Sequence, residues 1–263
     1  MTYKTMAFEL RDNVAWITLN RPDSLNALTL DSTKELHDMA NRCGSDRAIR
    51  AVVLTGAGDR AFCAGGDVMS FAEDSARIDL LLKEMTTYLH TAISRFAWMD
   101  APLIAMVNGV AAGAGLSLVA CCDLAVAADT ARFTSAYTQI GLSPDGGSTY
   151  FLSRVIGTRR AAELYLTNRT LSAQEALDWG LVNQVVATNA LQDTVAALAS
   201  KLAQGPTRAH GGVKKLLLMA SQDSLESQME RETRQIVELS QSSDGREGVR
   251  AFVERRKPAF CGQ

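Results

Sequence analysis

The sequence predicts an α/β fold in which strands and helices alternate along most of the chain. Short apolar segments typical of buried strands occupy residues 51–54, 103–107 and 124–127, and segments with helical spacing separate them. Repeated strand–helix units of this kind favour sheets that are covered by helices. The 263 residues are sufficient for one large domain or for a domain with an appendage.

Composition argues against several classes of protein. A net charge of −2 is not that of a general nucleic-acid-binding protein, which usually carries a basic face. No stretch of 18 apolar residues predicts a membrane span, and the first residues lack the apolar core of a signal peptide. Five cysteines without a CxxC pair, together with only three histidines, predict reduced thiols, a cytoplasmic protein and no metal site.

The predicted elements follow in chain order. Residues 8–10 and 14–19 predict two paired strands around a turn at Asp12 and Asn13. Apolar residues recur at helical spacing over residues 29–41, and residues 80–96 predict a second helix. Residues 113–120 predict a buried helix, and residues 188–255 predict successive helices with breaks near 205–206 and 242–245.

Two loops of small residues, about fifty positions apart, indicate the chemistry. They are residues 62–67 (FCAGGD) and 108–115 (NGVAAGAG), and each follows a predicted strand. Loops with so few side chains let a ligand approach backbone N–H groups, and two such groups aimed at one oxygen form an oxyanion hole. This pattern points to chemistry on an acyl group. The alternative is that the loops only allow two backbones to pack closely.

An ordered set of motifs resembles the crotonase superfamily, also called the enoyl-CoA hydratase/isomerase family. The resemblance runs from about residue 7 to the C-terminus. Its landmarks are residues 19–22, 25–28, 62–67, 108–115 with Asp123, 141–147, 178–182, 250–252 and 255–258. The family implies a spiral of repeated β-β-α units over residues 1–200, and a C-terminal helical region over residues 201–263 that mediates oligomerisation. It further implies an acyl-CoA substrate, no separate cofactor because CoA is part of the substrate, and a homotrimer or hexamer.

The resemblance also implies the site residues. The two oxyanion-hole donors correspond to the N–H groups of Ala64 and Ala114. The substrate-binding positions are Leu25, Ala27, Gly66, Asp67, Val68, Val110, Ser117, Tyr137 and Ile140. Asp67 is alternatively the cap of the helix that follows it.

The chain departs from the hydratases of this family at both catalytic positions. Those enzymes use two glutamates to add water to an enoyl double bond, and the matching residues here are Ser117 and Tyr137. Neither is a carboxylate, and the mechanism needs both groups to orient water and move a proton. The sequence therefore predicts weak or absent hydratase activity. Tyr137 either stacks on a ring substrate or fills the core.

One carboxylate, Asp145, remains in the matching region. An aspartate before a helix is commonly an N-cap. The family resemblance instead favours catalysis, because Asp145 resembles the aspartate of ring-acyl-CoA and Δ3-Δ2 enoyl-CoA isomerases, and that of 4-chlorobenzoyl-CoA dehalogenase. In the dehalogenase the aspartate is the nucleophile and a histidine matching His90 is the base. His90 is otherwise part of an ordinary amphipathic helix.

These observations predict an enoyl-CoA isomerase with Asp145 as acid and base. A dehalogenase and a hydratase are the alternatives, and a noncatalytic or RNA-binding relative is a more distant one. Such a relative should lose the oxyanion hole or show a basic surface, and the sequence shows neither feature.

Overall fold

The strands form two sheets in the computed structural model, which describes residues 3–73 and 75–263. The strands are β1 Met6–Arg11, β2 Val14–Leu19, β3 Ala51–Gly56, β4 Ala61–Cys63, β5 Leu103–Val107, β6 Val110–Ala112, β7 Leu124–Ala128, β8 Arg132–Thr134, β9 Leu171–Ser172 and β10 Gln184–Val186. The larger sheet has the order β1-β2-β3-β5-β7-β10, and its described strands are parallel except for the antiparallel pair β1 and β2. The smaller sheet has the order β4-β6-β8-β9, and its described strands are parallel except for the antiparallel pair β8 and β9.

Successive strand pairs wind the chain between the two sheets. In the pairs β3/β4, β5/β6 and β7/β8, the first strand joins the larger sheet and the second joins the smaller one, and a helix follows each pair. The predicted α/β spiral of β-β-α units is therefore confirmed. The helices are α1 Leu30–Ser45, α2 Val68–Glu73, α3 Ile78–Trp98, α4 Ala114–Cys121, α5 Ser148–Ile156, α6 Thr158–Thr167, α7 Ala173–Asp178, α8 Leu191–Ala203, α9 Thr207–Met219, α10 Leu225–Ser240 and α11 Ser243–Val253.

The predicted helices α1 and α4 form where the pattern placed them. Thr29 caps α1, since its hydroxyl oxygen accepts a hydrogen bond from Ser32 N at 3.3 Å. Leu36 and Met39, which the helical spacing assigned to the core, are fully buried. All residues of α4 are buried, as expected for a helix without a polar face.

The larger sheet is buried on both faces. Along β3, Val52 and Leu54 face the main core, whereas Val53 faces a second apolar layer that α8 completes with Val195. A strand covered on both sides reads as a continuous apolar run, and for this reason residues 51–54 were recognisable from sequence. The predicted domain boundary at residues 200 and 201 lies inside α8, which ends at Ala203.

An ion pair ties the C-terminal helices to this core. Lys214 of α9 is buried, and its Nζ lies 2.8 Å from Asp123 Oδ2 while donating to the carbonyl oxygens of Phe96 and Ala101 at 3.0 and 2.9 Å. Burial raises the pKa of the Asp123 carboxyl group, and the ammonium group of Lys214 opposes that shift.

In the part of the chain described, no helix has the length and apolar character required to cross a bilayer.

Candidate active site

A cavity of about 350 Å³ opens where the two small-residue loops meet. Apolar side chains of α3 form the opposite wall, and Asp145 is the one charged side chain among the described lining residues. The lining consists of Leu28, Thr33, Ala64, Gly65, Gly66, Val68, Phe71, Leu82, Met85, Thr86, Leu89, Gly113, Ala114, Ala136, Tyr137, Gln139, Ile140, Leu142, Ser143 and Asp145. A larger cavity of about 530 Å³ shares none of these residues and has acidic and basic groups mixed in its wall. We therefore place the candidate site in the smaller cavity.

The two loops contact each other through their backbones at Gly65 and Gly113. A Cβ atom added to Gly65 would lie 3.1 Å from Ala112 O and 3.4 Å from Ala114 N. Both glycines also have positive φ angles, +100° and +52°. The approach and the backbone conformation both require glycine here, and they bring the N–H groups of the two loops to one wall of the cavity.

The N–H of Ala64 has a partner within the protein. It donates a hydrogen bond to Leu25 O at 3.0 Å, so this N–H is occupied. The prediction that Ala64 supplies the first oxyanion-hole donor is therefore corrected. At the next residue, Gly65 O accepts from Leu28 N at 2.8 Å. Because C=O and N–H point in opposite directions in a trans peptide, the N–H of Gly66 points away from Leu28.

The N–H groups of Gly66 and Ala114 are the ones left open at the loop junction. Neither group donates a hydrogen bond to any of the residues that the structure describes. Ala114 is the first residue of α4, where N–H groups have no partner inside the helix. The helix dipole adds a favourable field for negative charge at that end. Two free donors on facing loops are what an oxyanion hole requires.

Gly66 is held beneath an aromatic ring. A Cβ atom on Gly66 would come within 2.7 Å of Phe71 Cζ, so no side chain fits there while the ring keeps its position. Phe71 is buried and lines the cavity. The absence of a side chain at Gly66 therefore leaves its N–H accessible from the cavity, while Phe71 supplies apolar surface beside it.

Asp145 is held by a tyrosine. The hydroxyl group of Tyr137 donates a hydrogen bond to Asp145 Oδ1 at 2.6 Å. The alternative role of Asp145 as a helix cap is not found, because α5 begins at Ser148 and Gly147 occupies the cap position without a side-chain hydrogen bond. Burial, and next the negative charge of Asp145, raise the pKa of Tyr137 well above its usual range.

Ser117 lies behind this pair and is completely buried. Its Oγ is 3.0 Å from Tyr137 Oη, 3.0 Å from Asp145 O and 3.3 Å from Gly113 O. A Cβ atom on Gly146 would lie 3.0 Å from Ser117 Cβ, so the turn after Asp145 packs directly against the serine. That turn fills the space which a longer side chain at position 117 would need.

His90 holds the same turn from α3. Its Nε2 accepts a hydrogen bond from Gly146 N at 3.0 Å, which places the ring proton on Nδ1 when the histidine is neutral. His90 is otherwise exposed and is absent from the described cavity lining. The structure therefore brings His90 to the backbone beside Asp145.

The predicted substrate-binding residues fall into two groups. Gly66, Val68, Tyr137 and Ile140 line the cavity, together with Ala64, Ala114 and Asp145. Val68 and Ile140 are about half exposed and form its rim. Outside the described lining lie Leu25, Ala27, Asp67, Val110 and Ser117.

The residues outside the lining have partners of their own. Leu25 O accepts the N–H of Ala64, and Ala27 O accepts from Arg21 at 2.7 Å. Asp67 pairs with Arg21 at 2.8 Å, and its Oδ1 lies 3.4 Å from Ser70 N, as expected for a weak helix cap. Val110 lies in β6, where its N–H donates to Arg60 O at 3.2 Å.

Sequence reasoning did not identify the apolar wall of the cavity. Leu82, Met85 and Leu89 of α3 lie at helical spacing, so one face of that helix was recognisable from sequence. Periodicity shows that such a face is buried somewhere, but it does not show that the face lines a cavity beside the small-residue loops.

Comparison with known proteins gives a consistent result. The family model described as "Enoyl-CoA hydratase/isomerase" matches residues 9–263. The chain is 39% identical over the full length of both proteins to a probable enoyl-CoA hydratase of Rhodobacter capsulatus. It is 38% identical to the 1,2-epoxyphenylacetyl-CoA isomerase of Escherichia coli, with 95% of each chain covered.

Two further similarities complete the set. The chain is 37% identical to the 4-chlorobenzoyl coenzyme A dehalogenase-2 of an Arthrobacter species, covering 88% of this chain and 84% of the other. Among solved structures, a putative enoyl-CoA hydratase from Streptomyces coelicolor superposes with a TM-score of 0.94 at 34% identity, covering 100% of this chain and 96% of that one.

Proposed function

Because the chain belongs to the enoyl-CoA hydratase/isomerase family, we propose that it moves the double bond of an enoyl-CoA and uses Asp145 as the acid and base. Members of this family process acyl-CoA thioesters. The observation that carries the finer proposal is that Asp145 is the single charged residue among the described lining of the cavity. It reaches this cavity on the segment that also carries Tyr137 and Ile140.

The thioester carbonyl would bind at the loop junction. The N–H groups of Gly66 and Ala114 both lack an acceptor in the described residues and line the same cavity. Two hydrogen bonds to the carbonyl oxygen stabilise the negative charge that develops when the neighbouring carbon loses a proton. The free N-terminus of α4 adds to this stabilisation.

Asp145 would then move the proton. Its carboxylate removes a proton from the carbon next to the carbonyl, and the electron pair is delocalised onto the thioester oxygen. The protonated carboxyl group returns the proton to a carbon further along the conjugated system, so one C–H bond breaks, another forms and the double bond moves. A single base is sufficient for both transfers if it reaches both carbons.

The cavity wall supports an apolar or ring-containing acyl group. Leu82, Met85 and Leu89 present aliphatic surface to the cavity, and Phe71 presents an aromatic ring beside Gly66. An aromatic side chain in such a wall packs favourably against a ring at the edge or the face. The 38% identity to a 1,2-epoxyphenylacetyl-CoA isomerase also favours a ring-containing acyl group.

Hydration is disfavoured by the two residues that replace glutamates. Ser117 is buried against the Asp145 turn, and the Tyr137 hydroxyl is engaged with Asp145. Neither group supplies the second carboxylate that would orient an attacking water.

Dehalogenation of an aroyl-CoA is the second candidate. It is favoured by the carboxylate in the cavity and by 37% identity to a chlorobenzoyl-CoA dehalogenase. Asp145 would attack the ring carbon that bears chlorine, so that the C–Cl bond breaks, chloride leaves and an aryl ester of Asp145 forms. Water, with His90 as base, would then hydrolyse this ester to the hydroxyaroyl-CoA and free Asp145. His90 Nε2 would first have to release the N–H of Gly146.

The exposed apolar residues of the C-terminal helices support a homo-oligomer, as a trimer or a hexamer. Phe252 is 86% exposed and Val253 is 75% exposed, and Val249 lies on the same stripe of α11. Such a surface is typical of an interface.

Three substrates test the function: a 3-enoyl-CoA, crotonyl-CoA and 4-chlorobenzoyl-CoA. We expect the wild type to convert the 3-enoyl-CoA without a change of mass, and to hydrate crotonyl-CoA at least ~10²-fold more slowly. Asp145→Asn should abolish the isomerisation while CoA-thioester binding, measured by calorimetry, stays nearly intact. Unchanged turnover in Asp145→Asn would disprove the role of Asp145, and chloride release by the wild type would favour the second candidate.

A further inference from the structure

The Tyr137 hydroxyl group lies between Ser117 and Asp145. It is 2.6 Å from Asp145 Oδ1 and 3.0 Å from Ser117 Oγ. An ionised carboxylate only accepts hydrogen bonds, so the single phenol proton is directed to Asp145. In the hydrogen bond between the two hydroxyl groups, Ser117 is therefore the donor and Tyr137 Oη the acceptor. Asp145 O and Gly113 O are also within reach of the serine proton.

The phenol is suited to holding a carboxylate and not to carrying a proton. Burial and the charge of Asp145 raise the pKa of Tyr137, so the hydroxyl group stays protonated throughout the pH range of an enzyme assay. A permanent donor to a charged acceptor makes a short, strong hydrogen bond. Asp145 Oδ2, in contrast, accepts no hydrogen bond from any residue within 3–73 and 75–263.

We propose that Tyr137 is a positioning residue that holds Asp145 Oδ1 and leaves Oδ2 as the one oxygen that carries the proton in both steps. This inference rests on the proposed isomerase function. With the carboxyl group unable to rotate, a proton taken by Oδ2 remains beside the enolate and is returned before it exchanges with water. Ser117 supports the arrangement because its hydroxyl group donates to the phenol oxygen, while its side chain packs against Gly146 in the turn after Asp145.

The distinctive consequence is intramolecular transfer of label. A 3-enoyl-CoA that carries deuterium on the carbon next to the carbonyl should deliver part of that deuterium to the new position in ordinary water. Mass spectrometry of the product measures the fraction retained. Tyr137→Phe removes the hydroxyl group but keeps the ring, so the carboxyl group becomes free to rotate and exchange.

We expect Tyr137→Phe to lower kcat about 10- to 100-fold with KM within twofold. The fraction of deuterium retained should fall by at least half. Tyr88→Phe on α3 is the matched control, since it removes a tyrosine hydroxyl away from the described cavity lining and should leave kcat, KM and the retained deuterium unchanged.

A double-mutant cycle tests the part assigned to Ser117. Ser117→Ala should lower kcat less than Tyr137→Phe does, and its effect should largely disappear in the Tyr137→Phe background if it acts through the phenol. Full additivity of the two effects would remove Ser117 from the proposal.

The two proposals fail in different ways. If the wild type does not isomerise any 3-enoyl-CoA, the function is wrong and the positioning role falls with it. If the wild type isomerises but transfers no label, or if Tyr137→Phe keeps the wild-type retention of deuterium, only the positioning role is overturned. A fall in kcat alone, without a change in retention, would identify Tyr137 as a packing residue.

Discussion

His90 Nε2 accepts the N–H of Gly146 at 3.0 Å, so an imidazole on α3 fixes the peptide bond that follows Asp145. Gly146 is buried and its φ is +63°, so the turn combines an unusual backbone conformation with an N–H that needs a partner. A histidine at this position thus contributes to the site through the backbone. Together with Tyr137 it holds the Asp145 segment from two sides.

This relationship predicts unequal effects of two His90 variants. His90→Ala leaves the buried N–H of Gly146 without an acceptor and should lower isomerase kcat roughly tenfold. His90→Gln offers an amide oxygen at a similar distance and should stay within about threefold of the wild type. Steady-state kinetics on a 3-enoyl-CoA make the comparison.

The same pair of variants addresses the dehalogenase alternative. If His90 is a hydrolytic base, 4-chlorobenzoyl-CoA should leave His90→Gln arylated on Asp145, and mass spectrometry of the protein would detect the added benzoyl-CoA group. Absence of chloride release and of that adduct would leave His90 with its structural role only.

Ala114 allows a direct test of the second oxyanion-hole donor. Proline is well tolerated at the first position of a helix, so Ala114→Pro should remove the free N–H while α4 is retained. We expect kcat to fall about 10²- to 10³-fold. Ala114→Gly keeps the N–H and is the matched control, with activity expected near that of the wild type. Equal activities in the two variants, with equal thermal stability, would mean that the N–H of Ala114 does not act on the substrate.

The ion pair between the buried Lys214 and the more exposed Asp123 predicts an effect on stability. Lys214→Met removes the ammonium group and leaves Asp123 without its cation and two carbonyl oxygens without their donor. The free energy of unfolding should fall by about 1–3 kcal/mol. Adding Asp123→Asn should recover part of this loss, because the uncompensated charge is then removed. Denaturant titration of both variants measures the difference, and a double variant no more stable than Lys214→Met would contradict the explanation.

The exposed stripe on α11 predicts the effect of one charge on assembly. Phe252→Glu places a carboxylate in the centre of the apolar surface formed with Val249 and Val253, and should shift the protein to smaller species in light scattering after size exclusion. Glu232→Ala on the exposed side of α10 is the control and should keep the wild-type mass. A monomeric wild type would exclude the oligomer.

Thiol reactivity should separate the cysteines by burial. Burial raises the pKa of both Cys43 and Cys63 to about 12, so at pH 8 these side chains are protonated and unreactive. Cys261 is exposed. We expect one fast-reacting thiol in a disulfide-exchange assay of the native protein, and none in Cys261→Ser. Fast labelling of Cys63 would show that the loop before Gly66 opens.

Residues with strong local signals were predictable from sequence. The buried β3 gave an uninterrupted apolar run, and α1 gave apolar residues at helical spacing. The short strands β4, β6 and β8 were missed because three residues are too few to show a periodicity. The break between α9 and α10 was also missed, since residues 220–224 contain neither glycine nor proline.

By itself the sequence determined the α/β class, the family and the two small-residue loops. It also showed that Asp145 is present, whereas the two glutamates on which hydratases rely are replaced. These features depend on residue types in a fixed order. The direction of a peptide N–H cannot be read from residue types, because it is set by the hydrogen bonds of the neighbouring backbone groups. Only the tertiary structure decided that Ala64 donates to Leu25, that Gly66 remains free, and that Tyr137, Ser117 and His90 converge on the Asp145 turn from three separate elements.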